Sequence, residues 1–160
     1  MPKKFTDEKY QKMLPKKQVG TAVIFLNIKG ELLIMQPDYR NEWLVPGGSA
    51  DANESPLHCA VRETKEEIGL DILEMKLVGV YYGHKKGIHS DSLKLIFYGG
   101  VLTESQISQI KLQTEELEKY TFALPEEANA ILSLSLQKSI PACLEAIKNK
   151  TMAYIESKDQ

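Results

Sequence analysis

The chain is poor in cysteine and in arginine. Its two cysteines, Cys59 and Cys143, form no Cys-x-x-Cys pair, so the sequence indicates neither a zinc knuckle nor a disulfide framework. We therefore expect a reducing, cytoplasmic compartment. The basic side chains are almost all lysine, since the only arginines are Arg40 and Arg62. Paired hydrogen bonds from one guanidinium to a phosphate or carboxylate can come only from these two residues.

Long apolar runs and an excess of one charge are also missing. No stretch reaches the ~20 apolar residues of a membrane span, and the start MPKKFTDEKY carries charges where a signal peptide would be apolar. Lys and Arg number 20 against 22 Asp and Glu, so no strong overall field attracts nucleic acid or an anionic membrane. We expect a soluble protein that is not exported and that binds neither. A small anionic ligand held locally remains compatible with this balance.

The length of 160 residues suits one domain, and no repeat or long linker divides it, so we predict a single domain over residues 1–160. Residues 1–17 carry six lysines against two acids and have the spacing of a short helix from near Thr6 to before Pro15. We interpret this segment as a helix packed on the domain edge with solvated lysines. A basic arm for nucleic acid is the less common alternative.

Hydrophobic patterns predict strands interleaved with helices, and hence an α/β (α+β) sandwich. The predicted strands are 18–26, 31–36, 75–82, 93–102 and 117–122. The predicted helices are 56–67, 125–132 and 136–148, the last two forming a C-terminal helical region over 125–160 that packs on the domain. Strand 18–26 is apolar on both faces, which favours a central position, and the turn Asn27–Gly30 predicts a hairpin with the next strand.

The helix near residue 60 carries an unusual set of acids. Ser55 is a suitable N-cap, Pro56 a suitable first residue and Gly69 a suitable residue past the end. At 100° per residue one stripe is predicted to be buried, namely Leu57, Ala60, Val61, Thr64 and Ile68. The opposite side carries Glu63, Glu66 and Glu67, whose carboxylates are neighbours that repel one another.

Three glutamates on a helix usually form only a solvated face. Here, however, they are accompanied by Gly47, Gly48, Glu54, Arg62 and Gly69. Clustered carboxylates become favourable when a hard divalent cation takes their oxygens as ligands. Glycines in a tight turn let a backbone carbonyl approach the same ion.

Residues 48–70, GSADANESPLHCAVRETKEEIGL, resemble the Nudix box, G-x5-E-x7-R-E-U-x-E-E-x-G-U, where U is a bulky aliphatic residue. The matching positions are Gly48, Glu54, Arg62, Glu63, Glu66, Glu67, Gly69 and Leu70. The one departure is Thr64, which stands where the pattern has an aliphatic residue. Because position 64 is on the stripe predicted to be buried, this change affects packing and leaves the carboxylate face intact.

The resemblance implies an α/β/α sandwich with a central mixed sheet and a loop-helix-loop catalytic motif. It implies hydrolysis of a diphosphate linked to a group X, with Mg²⁺ or Mn²⁺ as cofactor. Carried over by position, the metal ligands and catalytic carboxylates are Glu63, Glu66 and Glu67, and the carbonyl of Gly47 is a further ligand. Arg62 then orients a glutamate, and Glu54 either anchors the loop or reaches the metal through water.

The box leaves the general base open, since the family uses either a box glutamate or an acid from a later loop. Glu115 and Glu116, which precede the strand predicted at 117–122, are candidates of the second kind, and we choose Glu116 as the catalytic one. A solvated loop is the alternative for both.

The residues around the box suggest how a substrate binds. Arg40 and Trp43 flank the approach to the glycines, and an arginine with an aromatic ring suits a phosphate and a stacked base or sugar. Core packing is an equal alternative for Trp43. Lys85 adds phosphate attraction, and His84 and His89 lie in the same polar loop. The expected partner is a small nucleotide or other diphosphate, with no nucleic acid or membrane, and a homodimer is an alternative to a monomer.

Two other functions are compatible with the resemblance. One is a noncatalytic nucleotide-sensing module, which would have no need of the full set of box glutamates that this chain retains. The other is a prenyl-diphosphate isomerase, which needs a reactive cysteine facing the diphosphate. The chain has no proline between Pro56 and Pro125, so the downstream proline of ADP-ribose hydrolases is absent and the substrate stays open.

Overall fold

The structure, a computed structural model, describes residues 6–84 and 91–157. In this part of the chain six strands form one mixed sheet, in the order β5-β2-β1-β4-β3-β6. The strands are β1 Gln18–Leu26, β2 Leu32–Pro37, β3 Lys76–Gly83, β4 Ser92–Val101, β5 Leu117–Ala123 and β6 Ala153–Glu156. Strand β1 pairs with β4, and β3 with β6, in parallel, and the other neighbours are antiparallel.

The helices lie on both faces of this sheet, so the expected α/β/α sandwich is confirmed. They are α1 Asp7–Met13, α2 Pro56–Ile68, α3 Glu104–Ser108, α4 Pro125–Ile131 and α5 Leu134–Asn149. On one face Ala60 and Ile68 of α2 pack with Val23 and Phe25 of β1. On the other face Ile140 and Cys143 of α5 pack with strand residues that include Ala22 and Ile96. None of the helices in the described ranges is both long and apolar enough to cross a membrane.

The prediction for strand β1 is confirmed in its bounds and its central place, but its pairing is less simple than a hairpin. Strands β1 and β2 are paired only at Leu26 and Leu32, beside the turn that Gly30 closes. Nearer the start of β1, the edge that is not paired with β4 hydrogen-bonds to residues 46–49, through Thr21 and Val23. The segment between β2 and α2 therefore acts as an inserted strand next to β1.

Several expectations about the ends of the chain are wrong. Helix α1 buries none of its residues, and Tyr10 and Met13 stay more than half exposed, so it is not packed as expected. The region after α5 is not all helical, because β6 extends the sheet beside β3. The helix predicted at about 136–148 is confirmed, since α5 spans Leu134–Asn149 and continues through Pro141. The short helix α3 was not predicted, although Thr103 and Gln106 form a capping box at its start.

Candidate active site

Helix α2 is fixed at both ends by local interactions. The Ser55 hydroxyl accepts from the His58 N–H at 3.1 Å, and Pro56 occupies the first helical position. At the other end Gly69 adopts a left-handed conformation, φ 75°, and its N–H donates to the Lys65 carbonyl. This conformation suits glycine because a Cβ would strain it. The predicted caps of this helix are thus confirmed.

The buried side of α2 differs from the predicted stripe at one end. Ala60, Thr64 and Ile68 are fully buried as expected, but Leu57 is 42% exposed and Cys59 is buried in its place. The Cys59 sulfur lies 3.4 Å from the Thr21 hydroxyl, so this turn of the helix rests on β1. This packing fixes the orientation of α2 on the sheet, so the glutamates are held on the opposite side of the helix.

The loop that carries Gly47 and Gly48, the glycine loop, lies between α2 and β1. The Thr21 N–H donates to the Gly48 carbonyl at 2.7 Å, which draws the loop against the strand. Gly47 has φ 146°, and a Cβ there would collide with the Thr21 backbone. A Cβ on Gly48 would collide with the carboxylate of Glu63. Gly47 is therefore required for the close approach of this loop to β1, whereas a side chain at Gly48 would displace the Glu63 carboxylate.

Arg62 connects the acidic side chains of the box. Its Nε and NH2 donate to the two carboxylate oxygens of Glu54 at 2.8 and 2.9 Å. Its NH1 donates to Glu63 at 2.9 Å and to Glu66 at 3.1 Å. A single guanidinium thus holds three of the four box glutamates.

The environments of the glutamates differ in their effect on the carboxyl pKa. The hydrogen bonds from Arg62, with one from the Asp51 N–H, lower the pKa of Glu54 to about 2. Burial raises the pKa of Glu63, although Arg62 opposes this shift. Burial also raises the pKa of Glu67 to about 8, helped by the charges of Glu63 and Glu116 and opposed by a hydrogen bond from the Gly47 N–H at 2.8 Å.

The same hydrogen bonds hold Arg62 in its charged form. The bonds to Glu54 raise the pKa of the guanidinium above its ordinary value, and those to Glu63 add to this effect. Glu54 therefore acts as the fixed anionic partner of Arg62. Glu67 is held by the backbone of the glycine loop and not by the arginine.

A cavity of about 720 Å³ opens beside the glycine loop. On the side of α2 it is lined by Gly47, Gly48, Glu63 and Glu67, with Glu116 nearby on the segment that precedes β5. Glu54 and Glu66 are not among its described lining residues, and the Glu66 side chain is 51% exposed. The cavity therefore meets the half-buried pair of box glutamates, Glu63 and Glu67, whereas Glu54 and Glu66 lie outside its described lining.

The sequence matches the model of the NUDIX domain over residues 16–143. The chain belongs to the Nudix hydrolase family. This match includes the glycine loop, α2 and every described residue of the α2 wall of the cavity.

Curated relatives show partial similarity to this chain. The chain is 26% identical over 115 residues to m7GpppN-mRNA hydrolase of Saccharomyces cerevisiae, which covers 71% of this chain and 11% of the yeast protein. It is 35% identical over 60 residues to RNA pyrophosphohydrolase of a Marinomonas species, which covers 38% of this chain and 37% of that protein. The aligned parts are thus a small fraction of the first relative and about a third of the second.

Solved Nudix structures share the fold. The NUDIX domain of Shewanella oneidensis NrtR, complexed with ADP ribose, superposes with a TM-score of 0.69 at 12% identity. The superposition covers 89% of this chain and 99% of that domain. At this identity the similarity concerns the fold.

The residues expected to bind substrate have different positions in the structure. Arg40 lines the cavity and its guanidinium lies 5.4 Å from the Tyr39 ring centre. Trp43 is not in the described lining, since it packs against the core beside α4 and α5. Lys85 and His89 lie outside the described residues. His84 lines the cavity, and its backbone N–H donates to the Ser157 hydroxyl at 3.0 Å.

The wall that faces α2 was missed by the sequence reasoning. It is made of hydroxyl groups and one lysine, namely Ser92, Lys94, Ser133, Ser135 and Ser157. The Lys94 ammonium donates to the Ser135 hydroxyl at 2.9 Å, which joins β4 to α5. A lysine inside the otherwise apolar run LKLIF was the available signal, because charges are rare within a covered strand.

Proposed function

We propose that this protein is a divalent-metal-dependent pyrophosphohydrolase, which cleaves a diphosphate linkage in a nucleoside triphosphate or in a nucleoside diphosphate linked to X. The observation that carries the proposal is the position of Glu63 and Glu67, two half-buried carboxylates beside glycines at the wall of a cavity large enough for a nucleotide. Family membership supports the same activity.

The residues of the α2 wall fit a hard divalent cation by their chemistry. Carboxylate oxygens and a glycine carbonyl are the ligands that Mg²⁺ and Mn²⁺ prefer. Arg62 already places positive charge between Glu63 and Glu66. In residues 6–84 and 91–157 no three acidic, histidine or cysteine side chains converge as a ready metal site, so we expect Glu63 and Glu66 to rotate on loading.

In the proposed site Glu63, Glu66 and Glu67, with the Gly47 carbonyl, hold Mg²⁺ or Mn²⁺. The bound cation supplies positive charge that neutralises the phosphate oxygens of the substrate. Arg62 fixes the direction of Glu63, while Glu54 keeps Arg62 in place. Glu116 lines the same cavity from the segment before β5 and is the group to which we assign the proton of the attacking water.

The two alternatives are less well supported. A noncatalytic sensing module has no need of four box glutamates, three of which are held by one arginine, and their retention favours catalysis. A prenyl-diphosphate isomerase needs a reactive thiol, but Cys59 and Cys143 are fully buried and outside the described cavity lining. Burial raises the pKa of both thiols, that of Cys143 to about 12.

A substrate screen tests the proposal. The purified protein is incubated with nucleoside triphosphates, nucleotide sugars and dinucleotides, each with Mg²⁺, with Mn²⁺ and with EDTA, and the products are identified by mass. We expect a nucleoside monophosphate or pyrophosphate to be released with metal only. Glu67→Gln and Glu66→Gln are each expected to lower kcat/KM by about 10³-fold, since each removes a charged ligand.

Glu126→Gln is the matched control, because Glu126 is an exposed helical glutamate outside the cavity. Its activity should equal that of the unmodified protein. Unchanged turnover in both box variants would refute the site assignment. Ligand binding without any hydrolysis, with either metal, would favour the sensing module instead.

A further inference from the structure

The loop before β5, residues 109–116, is attached to the end of helix α2. The last carbonyl groups of an α-helix have no partner within the helix. In α2 the Ile68 carbonyl accepts a hydrogen bond from the Lys111 N–H at 3.0 Å. The Glu67 carbonyl accepts one from the Gln113 N–H, also at 3.0 Å. The loop 109–116 is therefore held against the end of the helix that carries the box glutamates.

Further backbone bonds continue from Gln113 to Glu116. The Gln113 carbonyl accepts from the Leu117 N–H at 3.0 Å and from the Glu116 N–H at 3.4 Å. The Glu116 carbonyl in turn accepts from the N–H of Asp38, the residue after β2, at 3.0 Å. The N–H and the carbonyl of Gln113 thus connect the backbone of Glu67 to the backbone of Glu116.

Gly69 allows the loop 109–116 to come this close to α2. It has φ 75°, and a Cβ on it would lie 3.2 Å from the Lys111 Cβ and 3.3 Å from the Lys111 carbonyl oxygen. Gly30 has nearly the same backbone angle, φ 78°, but a Cβ there would meet nothing within 4 Å among the described residues. The two glycines therefore share a backbone conformation and differ in whether a loop is packed against them.

The attachment of this loop brings together two carboxylates from separate parts of the chain. Glu67 and Glu116 both line the cavity. They also interact, since burial is the main cause of the raised pKa of Glu67 and the charge of Glu116 adds to it. A misplacement of about 1 Å can cost about 10²-fold in rate. The backbone bonds that set the distance between Glu116 and α2 are therefore relevant to catalysis.

We propose that Gly69 and Gln113 position Glu116 to accept the proton of the attacking water, through the backbone contacts between the loop 109–116 and the end of α2. The inference rests on the proposed pyrophosphohydrolase activity and deepens it. Neither Gly69 nor Gln113 is in the described lining of the cavity, so both are positioning residues.

The step that depends on this position is the attack of water on the diphosphate. The water oxygen forms a bond to phosphorus, and the bond from this phosphorus to the bridging oxygen breaks, with its electron pair remaining on the bridging oxygen. One proton of the water passes to the carboxylate of Glu116. If Glu116 is displaced, this proton transfer is slowed while the binding of the substrate is retained. The expected signature is a lower kcat at constant KM.

The first test compares the two glycines. Gly69→Ala pushes Lys111 away from α2 by a few tenths of an ångström. We expect kcat to fall by about tenfold and KM to stay unchanged, since the displacement is a fraction of 1 Å. Gly30→Ala is the matched control, because it has similar backbone strain in open space, and it should keep kcat. Thermal unfolding of both variants measures the strain that they share.

A double-mutant cycle shows whether Gly69 acts through Glu116. A disturbance of α2 itself would lower kcat whatever residue stands at position 116. If Gly69→Ala acts by moving the loop 109–116, its effect disappears in the Glu116→Gln protein, because no carboxylate is left to misplace. We expect Gly69→Ala to lower kcat by less than about twofold in that background.

Gln113 is tested through its backbone. Gln113→Pro deletes the N–H that bonds to Glu67, whereas Gln113→Ala keeps it. We expect Gln113→Pro to lower kcat by about tenfold or more, and Gln113→Ala to retain most of it. Hydrogen exchange at the Leu117 amide, measured by NMR, should be faster in Gln113→Pro than in Gln113→Ala. If Gln113→Pro does not fold, Gly69→Ala and Gly30→Ala are compared by the same measurement.

Three results would overturn the inference: equal effects of Gly69→Ala and Gly30→Ala on kcat, an undiminished effect of Gly69→Ala in the Glu116→Gln protein, or no effect of Glu116→Gln itself. If no substrate is hydrolysed with either metal, the proposed function fails instead. Hydrogen exchange then tests the positioning without turnover. Faster exchange at Leu117 in Gln113→Pro than in Gln113→Ala supports the attachment of Glu116 to α2, and equal exchange refutes it.

Discussion

The two walls of the cavity are built from the chain in different ways. The wall on the side of α2 takes its charged residues, Glu63 and Glu67, from one helix, and the Arg62 that holds Glu63 belongs to the same helix. The facing wall takes its polar residues from β4, from the start of α5 and from the segment after β6. One wall depends on helical periodicity, whereas the other depends on strand register and on the packing of α5.

The walls also differ in the charge of their side chains and in the contacts that hold these side chains. The α2 wall carries the carboxylates of Glu63 and Glu67, which are held by Arg62 and by the Gly47 N–H respectively. The facing wall is mainly neutral hydroxyls around Lys94. If this division reflects function, changes in the α2 wall should act on kcat for every substrate. Changes in the facing wall should act on KM for some substrates only.

Among the changes that test the difference between the two walls, we expect the largest effect at Glu116, which lines the cavity but lies outside the box. Glu116→Gln should lower kcat by about 10²-fold or more if it accepts the proton of the attacking water. Its neighbour Glu115 is not in the described lining, so Glu115→Gln should be silent. Steady-state kinetics on one good substrate measures both. Equal effects of Glu116→Gln and Glu115→Gln on kcat would contradict this assignment and would favour a box glutamate as the general base.

A smaller effect is expected at Arg62. Arg62→Lys keeps the charge but loses the paired hydrogen bonds to Glu54, so Glu63 is less well directed. We expect kcat/KM to fall by about 10- to 100-fold for all substrates alike, as is usual for groups that orient metal ligands. Lys65→Arg, on the same helix, is the control. A loss confined to one substrate class would contradict the division between the walls.

The smallest effect concerns the side of α2 away from the cavity. Thr64 is fully buried, and its hydroxyl finds no hydrogen-bond partner among residues 6–84 and 91–157. Thr64→Val removes this buried polar group, so the free energy of unfolding should rise by about 1 kcal/mol. The melting temperature should then rise by about 2–4 °C, with kcat and KM unchanged. A lower melting temperature would show that the hydroxyl is satisfied in solution.

Much of the α2 wall could be predicted because its determinants are local. Ser55, Pro56 and Gly69 set the ends of the helix by their own backbone and side-chain preferences, and the spacing of the glutamates then fixes their common face. Two errors in the same helix, at Leu57 and Cys59, have a tertiary cause. Helical periodicity gives the direction of a side chain, but the contact of Cys59 with Thr21 depends on where β1 passes.

The sequence by itself determined the family, the order of most strands and helices, and the acidic face of α2, since each depends on residues close together in the chain. Only the tertiary structure decided that Trp43 packs against the core, that residues 46–49 extend the edge of β1, and that Lys94 of β4 lies beside Gly20 of β1. These features depend on which distant strands become neighbours and in which register. That choice is made by the packing of both sheet faces together, which no local pattern contains.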